Sequence, residues 1–316
     1  MSEDGAALGA RLRERDLAAA PAALNLLESR APGDVREAAE LLAQVSPASL
    51  GREAPAHVIG VTGPPGAGKS TLLSALLHAW REQQRTVALL AVDPSSRRSG
   101  GSLLGDRARI EFDPADRGVL IRSTAAGERL GGLARATRSA AEALAAAFDV
   151  VVIETVGVGQ AETEIAEVAD TVVVVVQPGA GDVLQFLKAG IMEIPDVLVV
   201  TKADLGEIAT RTRRDLASAL RSLGAGTSVV SVSSLPPPEG IEELLSQLRA
   251  HREGLDLAER RLRSRREGAL TEFATQYGEQ GLRSLGGREA TLALLAQEPP
   301  GADSASLLAA LADRLA

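Results

Sequence analysis

Three lysines stand out among the side chains that could do chemistry, because the chain contains almost no others. Lys69, Lys188 and Lys202 are the only lysines among 34 basic residues, and the rest are arginine. A lysine presents a compact, flexible point charge that a planar guanidinium does not replace. The positions where lysine persists are therefore candidates for specific contacts. Lys69 and Lys202 both lie in short motifs typical of nucleotide binding, and Lys188 needs a separate explanation.

The first motif is a glycine-rich loop that ends in a lysine and a hydroxyl residue. Residues 63–71 read GPPGAGKST and match the pattern GxxxxGK[ST], between a β-branched run and a helical pattern. The backbone N–H groups of such a loop form an anion nest at a helix N-terminus. Lys69 then reaches the outer phosphates, and the Ser70 hydroxyl ligates Mg²⁺. The candidates for nucleotide binding are Gly63, Pro64, Pro65, Gly66, Ala67, Gly68, Lys69, Ser70 and Thr71.

Two acidic residues come at the ends of predicted strands. Asp93 follows the apolar run 87–92, and Glu154 ends the run that begins at residue 150. One such acid could equally cap a helix or lie in a solvated turn. Open parallel sheets, however, bind ligands beyond the carboxyl ends of their strands, so both acids are candidates for catalysis at the nucleotide site. Glu154 occupies the position of a Walker B acid, and Gly157 can offer its N–H to a γ-phosphate in a switch segment.

A second motif indicates which base is bound. Residues 201–204 read TKAD after an apolar run, which makes Thr201, Lys202 and Asp204 candidates. In this arrangement the carboxylate accepts from guanine N1–H and N2–H₂, and the lysine stem lies along the base. Adenine has neither donor there, so the sequence predicts GTP and GDP rather than ATP. The next strand end can offer a backbone N–H to guanine O6, from Ser233, Ser234 or Leu235.

Length and composition restrict the possible classes of protein. The 316-residue chain is 45% apolar but only 2% aromatic, which indicates one or two domains with an Ala/Val/Leu-rich interior. It has no cysteine, which excludes disulfides and thiolate metal sites. The net charge is −8 with scattered basic residues, so we expect no nucleic-acid partner. The N-terminus lacks the pattern of a signal peptide, and the longest apolar run is too short to span a bilayer. We therefore expect a cytoplasmic protein with no membrane partner.

The hydrophobic pattern places these motifs on a doubly wound, mostly parallel α/β sheet. Short β-branched runs alternate with longer amphipathic segments between residues 57 and 251. Strands are predicted at 57–62, 86–92, 118–122, 150–154, 171–177, 197–201 and 227–232. Helices are predicted between them at 69–82, 129–147, 160–168, 183–191, 208–223 and 240–251. Helical patterns also precede the first strand, with a Pro/Gly/Ser-containing linker at 45–56, and continue after the last strand at 255–277, 288–296 and 304–315. The predicted domains are an N-terminal helical extension (1–50), a nucleotide-binding domain (51–253) and a C-terminal helical arm (254–316).

With these residues assembled, the chain resembles the MeaB/ArgK/MMAA family of SIMIBI P-loop GTPases. The resemblance covers about residues 57–235 and is carried by five segments: GPPGAGKST, VDPSSRRSGGSLLGDRAR, IETVGVGQAE, QPGAGDVLQFLKAGIME and TKAD. The second and fourth of these segments are specific to the family rather than to P-loop proteins in general.

The resemblance implies GTP hydrolysis coupled to chaperoning of an adenosylcobalamin-dependent acyl-CoA mutase, such as methylmalonyl-CoA mutase. Such proteins gate cofactor loading and protect the mutase. It also implies a homodimer formed through the C-terminal arm. Finally, it implies a Mg²⁺ ion near Ser70, Asp93, Asp106 and Glu154.

Two features concern turnover. The residue after Gly157 is Val158 rather than the water-positioning glutamine of Ras-like proteins, so we expect slow intrinsic hydrolysis that a partner accelerates. Gln160, Arg107 and Arg109 are possible substitutes. Lys188 follows a glycine-rich loop at a predicted strand end, and it is either a solvated lysine or part of a third switch that assists catalysis.

Two other functions fit parts of the pattern. A nickel-insertion GTPase of the same class would need a His- or Cys-rich cluster, whereas the three histidines here are widely separated in sequence and cysteine is absent. A P-loop small-molecule kinase would need a lid with phosphate-clamping arginines and an acceptor pocket, and would not need TKAD. Phosphate release from GTP, but not from ATP, without any acceptor molecule would indicate a GTPase rather than a small-molecule kinase.

Overall fold

The computed structural model describes residues 4–93, 110–125, 135–155, 164–179, 195–222, 224 and 226–315. The chain divides into two compact units. The sheet unit comprises His57–Ala134 and Val150–Leu255, and the helical unit comprises Met1–Ala56, Arg135–Asp149 and Asp256–Ala316.

Seven strands form one sheet in which every described pair of neighbours is parallel. The strands are β1 (His57–Thr62), β2 (Val87–Asp93), β3 (Val119–Ala125), β4 (Val150–Thr155), β5 (Thr171–Val176), β6 (Val197–Val200) and β7 (Ser228–Ser231). Their order across the sheet is β3-β2-β4-β1-β5-β6-β7. Every residue of β1, β4 and β5 is buried, as expected for a parallel sheet covered on both faces. The predicted doubly wound sheet is thus confirmed.

The helices agree with the predicted alternation, with some changes in their bounds. The described residues contain α1 (Gly5–Arg13), α2 (Ala20–Glu28), α3 (Pro32–Val45), α4 (Pro47–Leu50), α5 (Lys69–Glu82), α6 (Arg135–Ala147), α7 (Glu207–Ser222), α8 (Ile241–Glu253), α9 (Leu257–Ser284), α10 (Arg288–Leu295) and α11 (Ser304–Ala312). The helix predicted at 160–168 is shorter where it is described, being a 3₁₀ turn at Ile165–Glu167. The helix predicted at 183–191 lies outside the described residues.

The core of the sheet unit follows from the spacing of apolar residues. On α5, Leu72, Leu73, Leu76 and Trp80 recur at helical intervals and are buried. They pack with the side chains of the sheet in one hydrophobic cluster. Burying this stripe fixes α5 against the sheet, so the first turn of α5 is held at the carboxyl end of β1.

The helical unit has a second core, built from the C-terminal helices. Leu270 and Phe273 of α9 are buried with Leu295, Leu307 and Leu311. The long α9 is interrupted at Gly278, whose φ of 67° is left-handed, so its first part ends at Tyr277 as predicted. No helix in the described part of the chain is both long and apolar enough to cross a membrane.

The predicted linker at 45–56 is partly wrong. It contains α4, because the Ser46 hydroxyl accepts from the Ser49 N–H and Pro47 occupies the first turn. Farther along, Arg261 of α9 donates to the carbonyls of Ala54 and Ala56 at 2.6 and 2.7 Å. The segment is therefore held by side-chain contacts to α9.

Candidate functional site

The glycine-rich loop leaves β1 with a backbone that side chains would block. Gly63 has a φ of 144°, and a Cβ there would come within 2.1 Å of the Val175 carbonyl oxygen on β5. Gly66 and Gly68 have φ values of 78° and 90°, which residues other than glycine rarely adopt. The loop then enters α5 at Lys69, so its N–H groups lie at a helix N-terminus, where anions are favoured.

Lys69 adds a full positive charge to this loop. Its side chain is buried, and Nζ donates to the carbonyl oxygens of Gly63 at 2.7 Å and Pro64 at 3.3 Å. These contacts hold the ammonium across the start of the loop. The other members of the motif differ in exposure: Ala67 is buried, Pro64 is half-buried, and Pro65, Gly66 and Thr71 are exposed. The arrangement combines a fixed cation with a helix N-terminus, which suits a polyphosphate.

Ser70 and Glu154, two of the residues predicted to hold Mg²⁺, lie close together beside the loop. Glu154 is buried at the end of β4, next to β1, and its Oε1 lies 3.4 Å from the Ser70 hydroxyl. Neighbouring oxygen ligands of an octahedral Mg²⁺ ion are about 3 Å apart. A hydroxyl and a carboxylate at this spacing therefore fit the ion. The Thr155 hydroxyl donates to the Thr62 hydroxyl at 2.9 Å and joins the ends of the same two strands.

Other predicted residues around the phosphates are described only in part or not at all. The backbone of Asp93 ends β2 at the same edge of the sheet, where Val92 pairs with Thr155. The side chain of Asp93 lies outside the described residues, as do Asp106, Gly157 and Lys188 entirely. Arg107, Arg109 and Gln160 lie outside them too.

The TKAD segment lies directly beside the phosphate loop. Thr201 is buried, and its hydroxyl lies 2.6 Å from the Ala67 carbonyl and 3.1 Å from that of Val176. Lys202 adopts a left-handed φ of 53°, and its Nζ donates to the Gly66 carbonyl at 3.3 Å. Two consecutive residues after β6 thus contact two consecutive residues of the loop. This places the predicted base-binding and phosphate-binding motifs side by side.

Asp204 and the loop after β7 form the outer part of the site. Asp204 is exposed, and its Oδ1 accepts from the Ser233 hydroxyl at 3.1 Å. The backbone N–H of Ser233 donates to the Glu239 carbonyl at 3.0 Å, so this group is engaged within the loop. Ser234 and Leu235 remain as candidates for donating to guanine O6. The Ser233 side chain instead contacts the Asp204 carboxylate.

Sequence reasoning did not identify Gln177. It directly follows β5, and its Oε1 accepts from the Lys202 ammonium. Its position in the sequence could have indicated a role, because a polar residue immediately after a buried strand lies at the edge of the sheet where ligands bind.

Sequence reasoning also treated the histidines as unrelated. Thr171 Oγ1 lies 2.7 Å from His57 Nε2 and 2.8 Å from His251 Nδ1, and His251 Nε2 lies 3.2 Å from Asp196. His57 and Thr171 begin β1 and β5, so this network lies at the strand ends opposite the phosphate loop. Residues far apart in sequence were brought together by the parallel register, which the sequence pattern did not specify.

Proteins similar to this chain include several named as GTPases, in agreement with a nucleotide-binding site. The family model described as methylmalonyl-CoA mutase-associated GTPase MeaB matches residues 5–285. A protein of Pyrococcus abyssi named as a GTPase is 41% identical over 272 residues, covering 84% of this chain and 81% of that protein. The mouse mitochondrial methylmalonic aciduria type A homolog is 40% identical over 199 residues, covering 60% of this chain and 48% of the mouse protein.

A solved structure extends the similarity to the whole chain. The crystal structure of an LAO/AO transport system kinase superposes with a TM-score of 0.66 at 28% identity, covering 100% of this chain and 99% of the other. The family match, the GTPase relatives and the juxtaposed motifs point to one activity, hydrolysis of GTP. The chain belongs to the MeaB family of methylmalonyl-CoA mutase-associated GTPases.

Proposed function

We propose that this GTPase is a chaperone of an adenosylcobalamin-dependent acyl-CoA mutase of the methylmalonyl-CoA type. GTP hydrolysis gates loading of the cobalamin cofactor and protects the mutase. The observation that carries this proposal is the match to the mutase-associated family model from residue 5 to residue 285, well beyond the nucleotide motifs. The name of the mouse relative, which refers to methylmalonic aciduria, supports the same assignment.

In the proposed complex, GTP lies across the carboxyl edge of the sheet. Its phosphates contact the loop 63–71 and Lys69, and the base lies on the stem of Lys202 with Asp204 accepting from guanine. Ser70 and Glu154 would hold Mg²⁺ together with Asp93 and Asp106, and the ion would neutralise charge on the outer phosphates. The fixed positive groups of the loop stabilise the charge that develops on the phosphates during transfer to water.

Hydrolysis by the isolated protein is proposed to be slow. Ras-like proteins orient the attacking water with a glutamine next to the switch glycine, and this chain has Val158 at that position. A partner that contacts the segments containing Asp106, Gly157 and Lys188 would complete the site. Because the site would be complete only with the partner bound, the rate of GTP hydrolysis would depend on the presence of the mutase.

The proposed organisation has three parts: an N-terminal extension (1–50), the GTPase domain (51–253) and a C-terminal arm (254–316). We propose that two copies of the protein pair through this arm in the cytoplasm. Size-exclusion chromatography with light scattering tests the pairing, because a dimer has twice the 32.7 kDa mass of the chain. A monomer at micromolar concentration would contradict the role of the arm.

The decisive experiment is calorimetry of the protein against methylmalonyl-CoA mutase in two nucleotide states, one with GDP and one with a non-hydrolysable GTP analogue. A chaperone gated by hydrolysis must bind the mutase with different affinity in the two states. The control is the Asp204→Asn variant, which should transfer this dependence from guanine to xanthine nucleotides. Equal affinities in both states would refute the chaperone assignment for that mutase. Phosphate release from GTP without an acceptor separates the proposal from a kinase function.

A further inference from the structure

The strand ends next to the nucleotide site are tied together by a regular set of hydrogen bonds. Thr201 and Lys202 follow β6, Val176 and Gln177 end and follow β5, and the phosphate loop follows β1. Thr201 contacts the carbonyls of Val176 and Ala67. One residue farther on, Lys202 donates to Gln177 Oε1 and to the Gly66 carbonyl. Each of the two residues thus makes one contact at the end of β5, to Val176 or to Gln177 directly after it, and one contact to the loop.

The two pairs of contacts differ in how they are held. The carbonyls around Thr201 belong to buried backbone, so the threonine has no freedom. Lys202 is exposed, and its four-carbon stem would adopt many conformations in solution. Gln177 is half-buried, and its amide oxygen gives the Lys202 ammonium a second acceptor besides Gly66. One acceptor lies in the loop and the other directly after β5, so together they fix the direction of the stem.

We infer that Gln177 is a positioning residue for guanine nucleotides, which acts by fixing the Lys202 side chain between β5 and the phosphate loop. This inference rests on the proposed location of the base on the Lys202 stem. A stem already fixed loses little conformational entropy when the base packs on it. The Gln177 side chain thereby sets the distance between the base platform and the phosphate loop without touching the nucleotide.

The test compares three substitutions at position 177 by GDP titration. Gln177→Met keeps the length but removes the acceptor, and GDP affinity should fall about tenfold, because the freed lysine stem must then lose its conformational entropy on binding. Gln177→Glu keeps an acceptor oxygen for the ammonium, and it should stay within roughly threefold of the wild type. Gln177→Ala should resemble Gln177→Met. Wild-type affinity in the methionine variant, or equal losses in the methionine and glutamate variants, would overturn the inference.

A double-mutant cycle shows whether Gln177 acts through Lys202. Lys202→Met alone should weaken GDP binding, and adding Gln177→Met to it should cost no more than about a further twofold. Full additivity of the two losses would show that Gln177 acts by another route and would overturn the inference. If wild-type protein failed to bind GDP at all, the proposed function would fail instead, which distinguishes the two results.

Gln247 provides a matched control for a merely structural role. It is also half-buried, and its Oε1 accepts from the Ser228 hydroxyl at 2.7 Å, at the amino end of β7 away from the phosphate loop. Gln247→Met should leave GDP affinity unchanged. The thermal midpoint of nucleotide-free Gln177→Met should match the wild type or fall by no more than that of Gln247→Met. A larger fall would mean that Gln177 serves stability, and the positioning role would be rejected.

Discussion

At the scale of single residues, three side chains of the site contact backbone carbonyls of the phosphate loop. Lys69, Thr201 and Lys202 all donate to these carbonyls. Asp204 is instead contacted by another side chain, the hydroxyl of Ser233. Because Asp204 is exposed and accepts from a single hydroxyl in the described structure, its carboxylate has remaining lone pairs for a ligand.

The first prediction concerns base choice. Asp204→Asn replaces an acceptor by a group that also donates, so it should exchange guanine preference for xanthine, whose C2 oxygen needs a donor. The loss of two charge-assisted hydrogen bonds should weaken GDP binding by about 3 kcal/mol. Titration with GDP and xanthosine diphosphate measures both changes. Unchanged GDP affinity would remove Asp204 from the base site.

The second prediction concerns Lys188. If it belongs to a third switch, Lys188→Ala should leave GTP affinity within roughly threefold while removing most of the mutase-stimulated rate, a coupling of about 1–3 kcal/mol. Lys188→Arg should restore little, because a planar guanidinium does not replace a compact point charge. Single-turnover hydrolysis with and without mutase provides the measurement. Normal stimulation of the alanine variant would assign Lys188 to the solvated surface.

At the scale of elements, a buried carboxyl joins α6 to the start of α11. Glu142 of α6 accepts from the hydroxyl of Ser304, the first residue of α11. Burial raises the pKa of Glu142 to about 7, although the Ser304 hydrogen bond acts in the opposite direction. The neighbouring Asp303 raises the pKa further, and the Arg265 guanidinium lowers it. Near neutral pH, this contact between helices therefore contains an acid that gains and loses its proton.

The third prediction follows from that pKa. The carboxyl binds its proton more tightly in the folded than in the unfolded protein, so the associated stability is complete below pH 4.5 and is lost as pH rises through about 7. Between pH 5.5 and 8 the loss should be about 2 kcal/mol. Urea unfolding of Glu142→Gln should lack this component. Glu289→Gln, at an exposed position on α10, should retain it. Equal pH dependence in wild type and Glu142→Gln would contradict the assignment.

The elements also show what the sequence could predict. The seven strands follow from β-branched runs between Gly/Pro-containing segments, and the TKAD and GKST motifs locate the site because strand carboxyl ends share one edge. The burial of Glu142 could not be predicted, since α6 is an alanine-rich helix whose partner, α11, lies more than 150 residues later in the chain. The contact of Gln177 with Lys202 depends on side-chain direction, which hydrophobic periodicity does not specify.

At the scale of the whole molecule, the proposed function requires the nucleotide site and the mutase to influence each other. If GTP and GDP change the affinity for the mutase by some factor, the mutase must change the relative affinity for GTP and GDP by the same factor. The site is suited to this, because its phosphate loop, β5 and β6 are already joined by hydrogen bonds.

The fourth prediction applies this linkage to turnover. The isolated protein should release phosphate from GTP slowly, and a cognate mutase should accelerate the release at least tenfold, which corresponds to about 1.4 kcal/mol of transition-state stabilisation. Steady-state phosphate release over a range of mutase concentrations gives the factor. Ser70→Ala, which removes the proposed Mg²⁺ ligand, should be slow with or without mutase. An unchanged rate at saturating mutase would contradict partner activation.

The division into two units has a consequence for the order in which the molecule can be made. All strands of the sheet unit have been synthesised by residue 231, whereas the helical unit takes segments from the beginning, the middle and the end of the chain. During translation from the N-terminus, α1–α4 and α6 must wait for α9–α11 before their unit is complete. Proteins generally fold unit by unit as they emerge. A chain truncated after residue 255 should thus hold a paired sheet together with helices that still lack part of their core.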